Sequence, residues 1–261
     1  NYKLFIYICS GSDSEKLDWF RTINIAGEKL APQELRNAVY HGSWLSNAKT
    51  HFSRPNGPAS TISSKYVSGS PIRQELLEKA LKWICVRDQV ETIEDYMAAH
   101  QHDPNATDLW GYFENVIRWA KSTFPVERDE LTAVNWGGLY ASHGSSYPDG
   151  AALEAKVSKL MMDEDIQKKS GIYAHVLDGD SRHLSIRLFT SSQKREAFER
   201  QNGLCANGRH CKTPSNADGK STFKLEEMEG DHITPWSKGG KTVSANCQML
   251  CIPCNRSKGD L

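Results

Sequence analysis

The sequence lacks the features that would place the protein in a membrane or outside the cell. No apolar run approaches the length of a membrane span, and no signal peptide is present. Internal repeats and low-complexity tracts are also absent. With 38% hydrophobic and 25% charged residues in 261, the composition is that of a soluble globular protein. We therefore expect a cytoplasmic protein with one large domain or two ordinary ones.

A net charge is missing as well, because 32 Lys and Arg residues balance 32 Asp and Glu residues. The whole-chain sum hides an asymmetry. Residues 1–184 carry 20 basic and 24 acidic residues, a balance of −4, whereas residues 185–261 carry 12 and 8, a balance of +4. The neutral total therefore does not exclude a nucleic acid as the partner of the C-terminal part.

Apolar periodicity predicts a mostly helical chain up to about residue 180. Pro32 is expected in the first turn of a helix, and Ser70 and Thr107 are expected as helix caps. We predict helices over 70–88, 107–124, 151–169 and 191–203, strands over 3–9 and 183–190, and loops over 53–64 and 135–150.

Cysteine is scarce before residue 200 and concentrated after it. Cys251 and Cys254 have the C-x₂-C spacing, which lets two thiolates reach one ion from a single turn, and Cys205 and Cys211 form a looser pair. We predict a structural zinc site made by these four cysteines, with His210 as an alternative to Cys211. Buried free thiols are the competing interpretation. The remaining late cysteine, Cys247, has no partner at metal spacing and is predicted to lie in the core.

The segment EGDHITPWSKGGK, residues 229–241, places Asp231 beside His232 before a Gly-rich loop. A lone His is more often structural than catalytic, but Asn246 and Asn255 follow within the same cysteine frame. The stretch DHITPWSKGGKTVSANCQMLCIPCNRSKGD resembles the HNH endonucleases, the ββα-metal nucleases, and in particular their zinc-stabilised McrA-like branch. His232, Asn246 and Asn255 fall on the three letters of the motif, with Asn255 in place of the last His. The resemblance covers residues 183–261.

Phosphodiester hydrolysis needs an activated water, neutralised phosphoryl oxygens and a stabilised leaving oxygen. His232 is the predicted general base, and Asp231 and Asn255 are the predicted oxygen ligands of a catalytic Mg²⁺ or Mn²⁺. The resemblance implies that Asn246 tethers the Gly-rich loop and so orients His232. Because neighbouring strand residues point to opposite faces, Asp231 and His232 can share a site only if the backbone bends there.

Basic residues of two predicted helices are candidate phosphate contacts. Arg256 and Lys258 belong to the last helix, and Lys194, Arg195 and Arg200 belong to the helix over 191–203. A solvated helix surface is the alternative interpretation for each.

Two other charged clusters are predicted to have no chemistry of their own. HQHD at 100–103 is expected to be a solvent loop between helices, although its residue types could bind metal. DEDIQKK at 163–169 is expected to be the charged face of a helix.

The N-terminal part carries a second resemblance. WFRTINIAGEKLAPQELRNAVYHG, residues 19–42, resembles the end of the ParB/sulfiredoxin-like N-terminal domain of GmrSD-type restriction enzymes. The Asp-Gly-Gln-Gln-Arg motif that this domain uses for nucleotide hydrolysis is not in the sequence, and the first residue is Asn. We therefore expect a fragment whose nucleotide site lies in a missing N-terminal part. An amphipathic helix packed on a strand fits the same residues.

The predicted fold class is α+β, with a mostly helical N-terminal region followed by a small zinc-stapled ββα-metal HNH nuclease domain. The predicted parts are residues 1–60 (ParB-like), 61–182 (helical linker or regulatory region) and 183–261 (nuclease). We predict a metal-dependent endonuclease of double-stranded DNA that serves restriction or antiviral defence. RNA cleavage and a homo-oligomeric state stay open. The alternative is a non-catalytic zinc module that binds nucleic acid or a partner protein.

Overall fold

The structure is a computed structural model that describes residues 8–23, 30–146, 149–213 and 222–258. The chain divides into two compact units, Asn1–Lys156 and Val157–Leu261. The division lies earlier in the chain than residue 183, where the sequence predicts the nuclease to begin. Most of the strand predicted over 3–9, and residues 24–29 of the ParB-like segment, lie outside the described residues.

The first unit is built from helices. Their bounds are α1 Asp13–Ile23, α2 Pro32–Val39, α3 Ser43–Phe52, α4 Pro58–Ser63, α5 Glu75–Asp88, α6 Ile93–His100, α7 Thr107–Thr123 and α8 Trp136–His143, followed by α9 Gly150–Met161. Helix α7 shows why they form, since Leu109, Phe113, Val116 and Ile117 recur on one face and are buried. Pro32 is the first residue of α2, as predicted.

Several predicted helix limits in this unit are wrong. The helix predicted from Ser70 begins at Glu75, because residues 70–74 form a turn that ends with Gln74 in the left-handed region, at φ 63°. Ile72, expected on its buried stripe, is therefore 63% exposed. Thr107 is the first residue of α7 and not its cap.

Both loops predicted for this unit contain a helix. In 53–64, Pro58 starts α4, a position that suits its fixed φ. In 135–150, Asn135 caps α8 by accepting the Gly138 N–H at 3.3 Å. Trp136 of this helix is fully buried. Tertiary burial therefore stabilises a helix in a segment whose Gly and Ser content predicts turns.

The second unit contains a small sheet between helices. Its elements are α10 Ile172–Asp178, α11 Ser191–Arg200, β1 Met228–His232, β2 Cys247–Cys251 and α12 Ile252–Lys258. The two strands are antiparallel, with Asp231 opposite Gln248 and His232 opposite Cys247. Helix α12 follows β2 directly and contacts both strands. The order β1, β2, α12 is the predicted ββα arrangement, and the predicted fold class is confirmed.

Two local predictions fail at the start of the second unit and within it. The helix predicted over 151–169 ends at Met161, and the division between the units falls inside it. The segment 183–190 is not a strand, since it pairs only through an isolated bridge between Ile166 and Ile186. Helix α11 is capped by Thr190, whose hydroxyl accepts the Gln193 N–H. Within the described ranges, no helix combines the length and the apolar character needed to cross a membrane.

Candidate active site and cysteine centre

Asp231 lies near the end of β1, where two side chains hold its carboxylate. Its Oδ2 accepts a hydrogen bond from Gln248 Nε2 at 2.9 Å, across the sheet, and pairs with the ammonium of Lys258 on α12. Lys258 also donates to the carbonyl of His232 at 3.1 Å. In the described part of the chain, Asp231 Oδ1 has no hydrogen-bond partner, so it is the oxygen left for a ligand.

His232 is the last residue of β1 and is half-buried. Its Nε2 lies 3.0 Å from the hydroxyl of Thr242, and its ring packs on Phe189 with the ring centroids 4.4 Å apart. Burial lowers the pKa of His232 below its ordinary value, against the opposing charges of Asp231 and Asp165. The imidazole is therefore neutral near pH 7, the form that can accept a proton.

The side chains of Asp231 and His232 line the same open cleft, which has a volume of about 410 Å³. Asn255, Lys258 and Lys194 line it too. The strand twists into a bend at residues 233–234 directly after His232. Neighbours on a strand thus reach one cavity, as the predicted role of both residues requires. The other residues that line the cleft outside the strand are Ser181, Ile186, Arg187, Leu188, Phe189, Pro235, Trp236 and Ser237.

Asn246 does not line the cleft. Its side chain bonds to both ends of the Gly-rich loop: it accepts the Thr234 N–H at 2.8 Å and donates to the carbonyls of Thr234 and Lys241, each at 3.0 Å. Gly240 allows this tight closure, because a Cβ there would lie 1.8 Å from the Thr234 carbonyl oxygen. Asn246 therefore ties the loop into one shape, immediately after His232.

Asn255 lies in the first turn of α12 and faces β1. Its Nδ2 donates to Glu229 Oε2 at 2.5 Å, which leaves the amide oxygen as the free end of the side chain. Glu229 is two residues before Asp231, so the alternation of a strand puts both carboxylates on one face. Carboxylate and amide oxygens are the ligands that Mg²⁺ and Mn²⁺ prefer, so the donor chemistry here fits a hard divalent ion.

The four predicted cysteines converge on a second centre. Their sulfur atoms lie within 4.8 Å of one another, with Cys211 Sγ 3.6 Å from Cys251 Sγ and 3.8 Å from Cys254 Sγ. A tetrahedral zinc site with Zn–S bonds of about 2.3 Å has sulfur–sulfur edges of about 3.8 Å. The four thiolates are therefore close enough to hold zinc with small side-chain movements. His210 is exposed and is not part of the cluster.

Burial raises the pKa of Cys205 and Cys211, whereas a backbone donor supports the thiolate form of Cys254. The Lys212 N–H donates to Cys254 Sγ at 3.1 Å, and the Cys251 N–H points to Cys205 Sγ at 3.4 Å. Burial by itself would raise the pKa of Cys254, but the donated N–H and neighbouring side chains lower it to about 7. Such N–H donors stabilise the charged sulfur that a metal requires.

The comparison with protein families gives the C-terminal segment its name. Residues 211–261 match the family model for HNH endonucleases. This segment is an HNH endonuclease domain. No curated protein and no solved structure matches the chain. An HNH domain implies nuclease activity in general, and the match includes Asp231, His232, Asn246 and Asn255. It begins at Cys211, so Cys205 and the cleft residues that precede Cys211 in the chain lie outside the match.

The five predicted phosphate contacts divide into three groups. Lys194 and Lys258 line the cleft, whereas Arg195 and Arg256 are exposed and do not line it. Arg200 is committed to structure, since its guanidinium donates to the Cys247 carbonyl at 2.6 Å. The helix periodicity places α11 correctly but cannot tell which of its cations faces the cleft.

Sequence reasoning missed the residues that support the HNH site. Asp165, expected on a solvated helix face, is 7% exposed and accepts the Thr242 N–H at 3.1 Å. Asp163 pairs with Lys241 at 2.8 Å. The spacing of two residues between Glu229 and Asp231 could have revealed Glu229 in the sequence. Nothing in the sequence marks Thr242, Asp163 or Asp165 as part of the site. The HQHD cluster starts at the last residue of α6 and continues as a partly buried turn in which His100 bonds to Asp103, and it gives no metal cluster among the described residues.

Proposed function

We propose that this protein is a metal-dependent endonuclease that hydrolyses phosphodiester bonds of double-stranded DNA, with zinc as a structural ion in the four-cysteine centre. One observation carries the proposal: Asp231, His232, Asn255 and Lys258 of the HNH segment line a single open cleft, together with Lys194 from the preceding helix. A module that only bound zinc and nucleic acid would need neither a neutral imidazole nor a carboxylate in that cleft.

His232 is the general base in this proposal. Its neutral imidazole takes a proton from the attacking water, and the imidazolium that results lies beside the carboxylate of Asp231. The aromatic face of Phe189 and the Thr242 hydroxyl hold the ring in place. Asn246 acts through the loop and does not touch the substrate.

Asp231 Oδ1 and the amide oxygen of Asn255 would hold a Mg²⁺ or Mn²⁺ ion. When bound there, such an ion neutralises the phosphoryl oxygens and stabilises the leaving 3′ oxygen. Lys258 and Lys194 line the cleft and supply the cations that attract the phosphate backbone. Phosphate contacts of this kind carry affinity and not sequence specificity.

The test is cleavage of supercoiled plasmid by the full chain with Mg²⁺, with Mn²⁺ and with EDTA. We expect His232→Ala to lower the rate about 10²- to 10⁴-fold, the usual contribution of a general base. His210→Ala is the matched control, because His210 is exposed and outside the cleft. Equal cleavage by wild type and His232→Ala would contradict the proposal. DNA binding without cleavage in every metal would favour the non-catalytic zinc module. Structured RNA in parallel reactions tests the choice of DNA.

Two neighbouring basic residues of α11, Lys194 and Arg195, test which cations contact phosphate. Lys194→Ala should weaken DNA binding and reduce the slope of its salt dependence by about one unit, because one phosphate contact is lost. Arg195→Ala, one residue away on the exposed side of α11, should change neither. Equal effects of the two substitutions would mean that the charge of the helix matters and its orientation does not.

We further propose that the nuclease is the effector of a restriction or anti-phage protein. The support is the resemblance of residues 19–42 to the N-terminal domain of GmrSD-type enzymes. Cells that express wild type should show a lower plating efficiency for some double-stranded DNA phages than cells that express His232→Ala. Equal plating across a broad phage panel would contradict the defence role and leave the nuclease proposal intact.

A further inference from the structure

Thr242 lies between His232 and two groups from an earlier part of the chain. It is 6% exposed, and its hydroxyl contacts His232 Nε2 at 3.0 Å and the Arg187 carbonyl oxygen at 3.3 Å. Its backbone N–H donates to Asp165 Oδ2 at 3.1 Å. The side chain and the main chain of this one residue are therefore both fixed, directly beside the imidazole.

The two contacts of the hydroxyl determine where its proton lies. A carbonyl oxygen can only accept, so the contact with Arg187 is a hydrogen bond only if Thr242 Oγ1 donates. A hydroxyl has one proton, and its contact with His232 Nε2 is then a hydrogen bond only if Nε2–H donates. A single arrangement makes both contacts hydrogen bonds. It puts the imidazole proton on Nε2 and the lone pair on Nδ1.

Asp165 holds this arrangement from a segment outside the residues that match the HNH family. Asp165 is buried, and its own carbonyl accepts the Arg187 N–H at 2.7 Å. The segment around it is tied to the same stretch by a second bond, from Lys168 N–H to the Leu184 carbonyl at 3.0 Å. The Asp165 carboxylate and the Arg187 carbonyl oxygen, which position Thr242, thus come from two segments, 163–168 and 184–187, that are hydrogen-bonded to each other.

We propose that Thr242, held by Asp165, is a positioning residue that fixes His232 in the Nε2–H tautomer and leaves Nδ1 as the nitrogen that accepts the proton of the attacking water. The inference rests on the proposed nuclease function for its catalytic consequence. The tautomer itself can be observed without any reaction. It also implies that the catalytic unit needs residues from Asp165 onward, well before the start of the family match at Cys211.

A hydroxyl that only fills space would give different results from one that sets a tautomer. Thr242→Val keeps the shape and removes the acceptor, whereas Thr242→Ser keeps the acceptor and removes a methyl group. A role in packing predicts that Val is the better tolerated. A role in positioning predicts that Ser retains function and Val does not.

The first test is ¹⁵N NMR of the histidine rings in the full-length protein, above the pH at which His232 is protonated, with His232→Gln to assign its signals. We expect wild type and Thr242→Ser to carry the proton on Nε2, and Thr242→Val to show a mixture of tautomers. A wild-type imidazole protonated on Nδ1 would overturn the inference, even if no variant could be prepared.

The second test is single-turnover cleavage by the same proteins. We expect Thr242→Val to lower the rate constant on the order of 10- to 100-fold, the usual effect of removing a group that orients a working imidazole. Thr242→Ser should stay within a few-fold of wild type, and DNA affinity should not change. A Val variant as fast as wild type, with an altered tautomer, would overturn the catalytic part. Wild type that cleaves nothing would instead overturn the proposed function, while the NMR result would still decide the tautomer.

Discussion

The two units of this chain are stabilised by different means. The buried core of the first unit is rich in large aromatic side chains, among them Trp44, Trp83, Trp119 and Trp136. The core around the sheet of the second unit has nine buried residues, and four of them are cysteines, Cys205, Cys247, Cys251 and Cys254. Burial of large apolar side chains can stabilise the first unit, whereas nearly half of the described core around the sheet consists of small cysteine side chains.

In the second unit, the residues that would stabilise the fold differ from those that would carry the chemistry. The sheet found among the described residues of the second unit has two strands, a size that is marginal in water without further support. Three of its buried cysteines belong to the cluster that could hold zinc, and Cys211 completes that cluster. A zinc ion held by these four thiolates would staple the sheet to the segments around it. The cleft, by contrast, is lined by Gly230, Asp231 and His232 of the first strand.

Removal of zinc should have the largest effect and should act on one unit only. A chelator, or Cys254→Ser, should unfold the second unit, because structural zinc contributes roughly 10–16 kcal/mol in small zinc domains. Hydrogen exchange resolved by peptide would show fast exchange across β1, β2 and α12 and unchanged protection in α5 and α7. Cys247→Ser, a buried cysteine outside the cluster, is the control and should keep its zinc. Loss of protection in both units would contradict the claim that zinc stabilises the second unit only.

Removal of a core aromatic from the first unit should have the converse effect. Trp136 is fully buried, and its Nε1–H donates to the carbonyls of Tyr66 at 2.9 Å and Leu131 at 3.0 Å. We expect Trp136→Ala to lower the free energy of unfolding of this unit by about 3–5 kcal/mol. Trp136→Phe, which keeps most of the ring, should cost less. Zinc content measured by atomic absorption should stay at the wild-type value, and a fall in it would contradict independent stabilisation.

One glycine in each unit, Gly137 and Gly240, tests the comparison of the two units at a single contact. A Cβ on Gly137 would lie 2.1 Å from the ring of Trp83, and a Cβ on Gly240 would lie 1.8 Å from a backbone oxygen. Gly137→Ala should lower the stability of the helical unit by about 1–3 kcal/mol through overpacking. Gly240→Ala should distort the loop tied by Asn246 and reduce cleavage more than stability. Urea unfolding and plasmid cleavage of both variants would decide, and a reversed pattern would contradict these roles.

Sequence reasoning found the parts of the site that are close in the chain. The spacing of Cys251 and Cys254 is fixed by one turn, and Asp231 and His232 are neighbours on one strand. Short-range geometry carries such patterns, so residue types and spacing are enough to predict that they act together. The resemblance to the HNH family supplied the rest, including the loop contacts of Asn246.

The parts that sequence reasoning missed depend on contacts between distant residues. Asp165 and Thr242 are joined by the fold alone, and nothing in DEDIQKK distinguishes a buried carboxylate from a solvated one. The helix predicted from Ser70 failed for a different reason. Its apolar period is correct, but Gln74 adopts a left-handed conformation that no propensity predicts, and the helix starts one turn later.

The smallest predicted effect concerns the exposed ion pair between Lys241 and Asp163, next to the buried hydrogen bond between Asp165 and Thr242. Lys241 pairs with Asp163 at 2.8 Å, but the lysine side chain is 56% exposed. We expect Lys241→Ala to change the free energy of unfolding of the second unit by less than about 1 kcal/mol, since solvent screens such pairs and holding the side chain costs entropy. The difference should vanish in 1 M salt, where the screening length is about 3 Å. Urea unfolding at low and high salt measures it. A cost above about 2 kcal/mol that persists in salt would mean that the exposed pair, and not the buried bond from Asp165 to Thr242, fixes the loop beside His232.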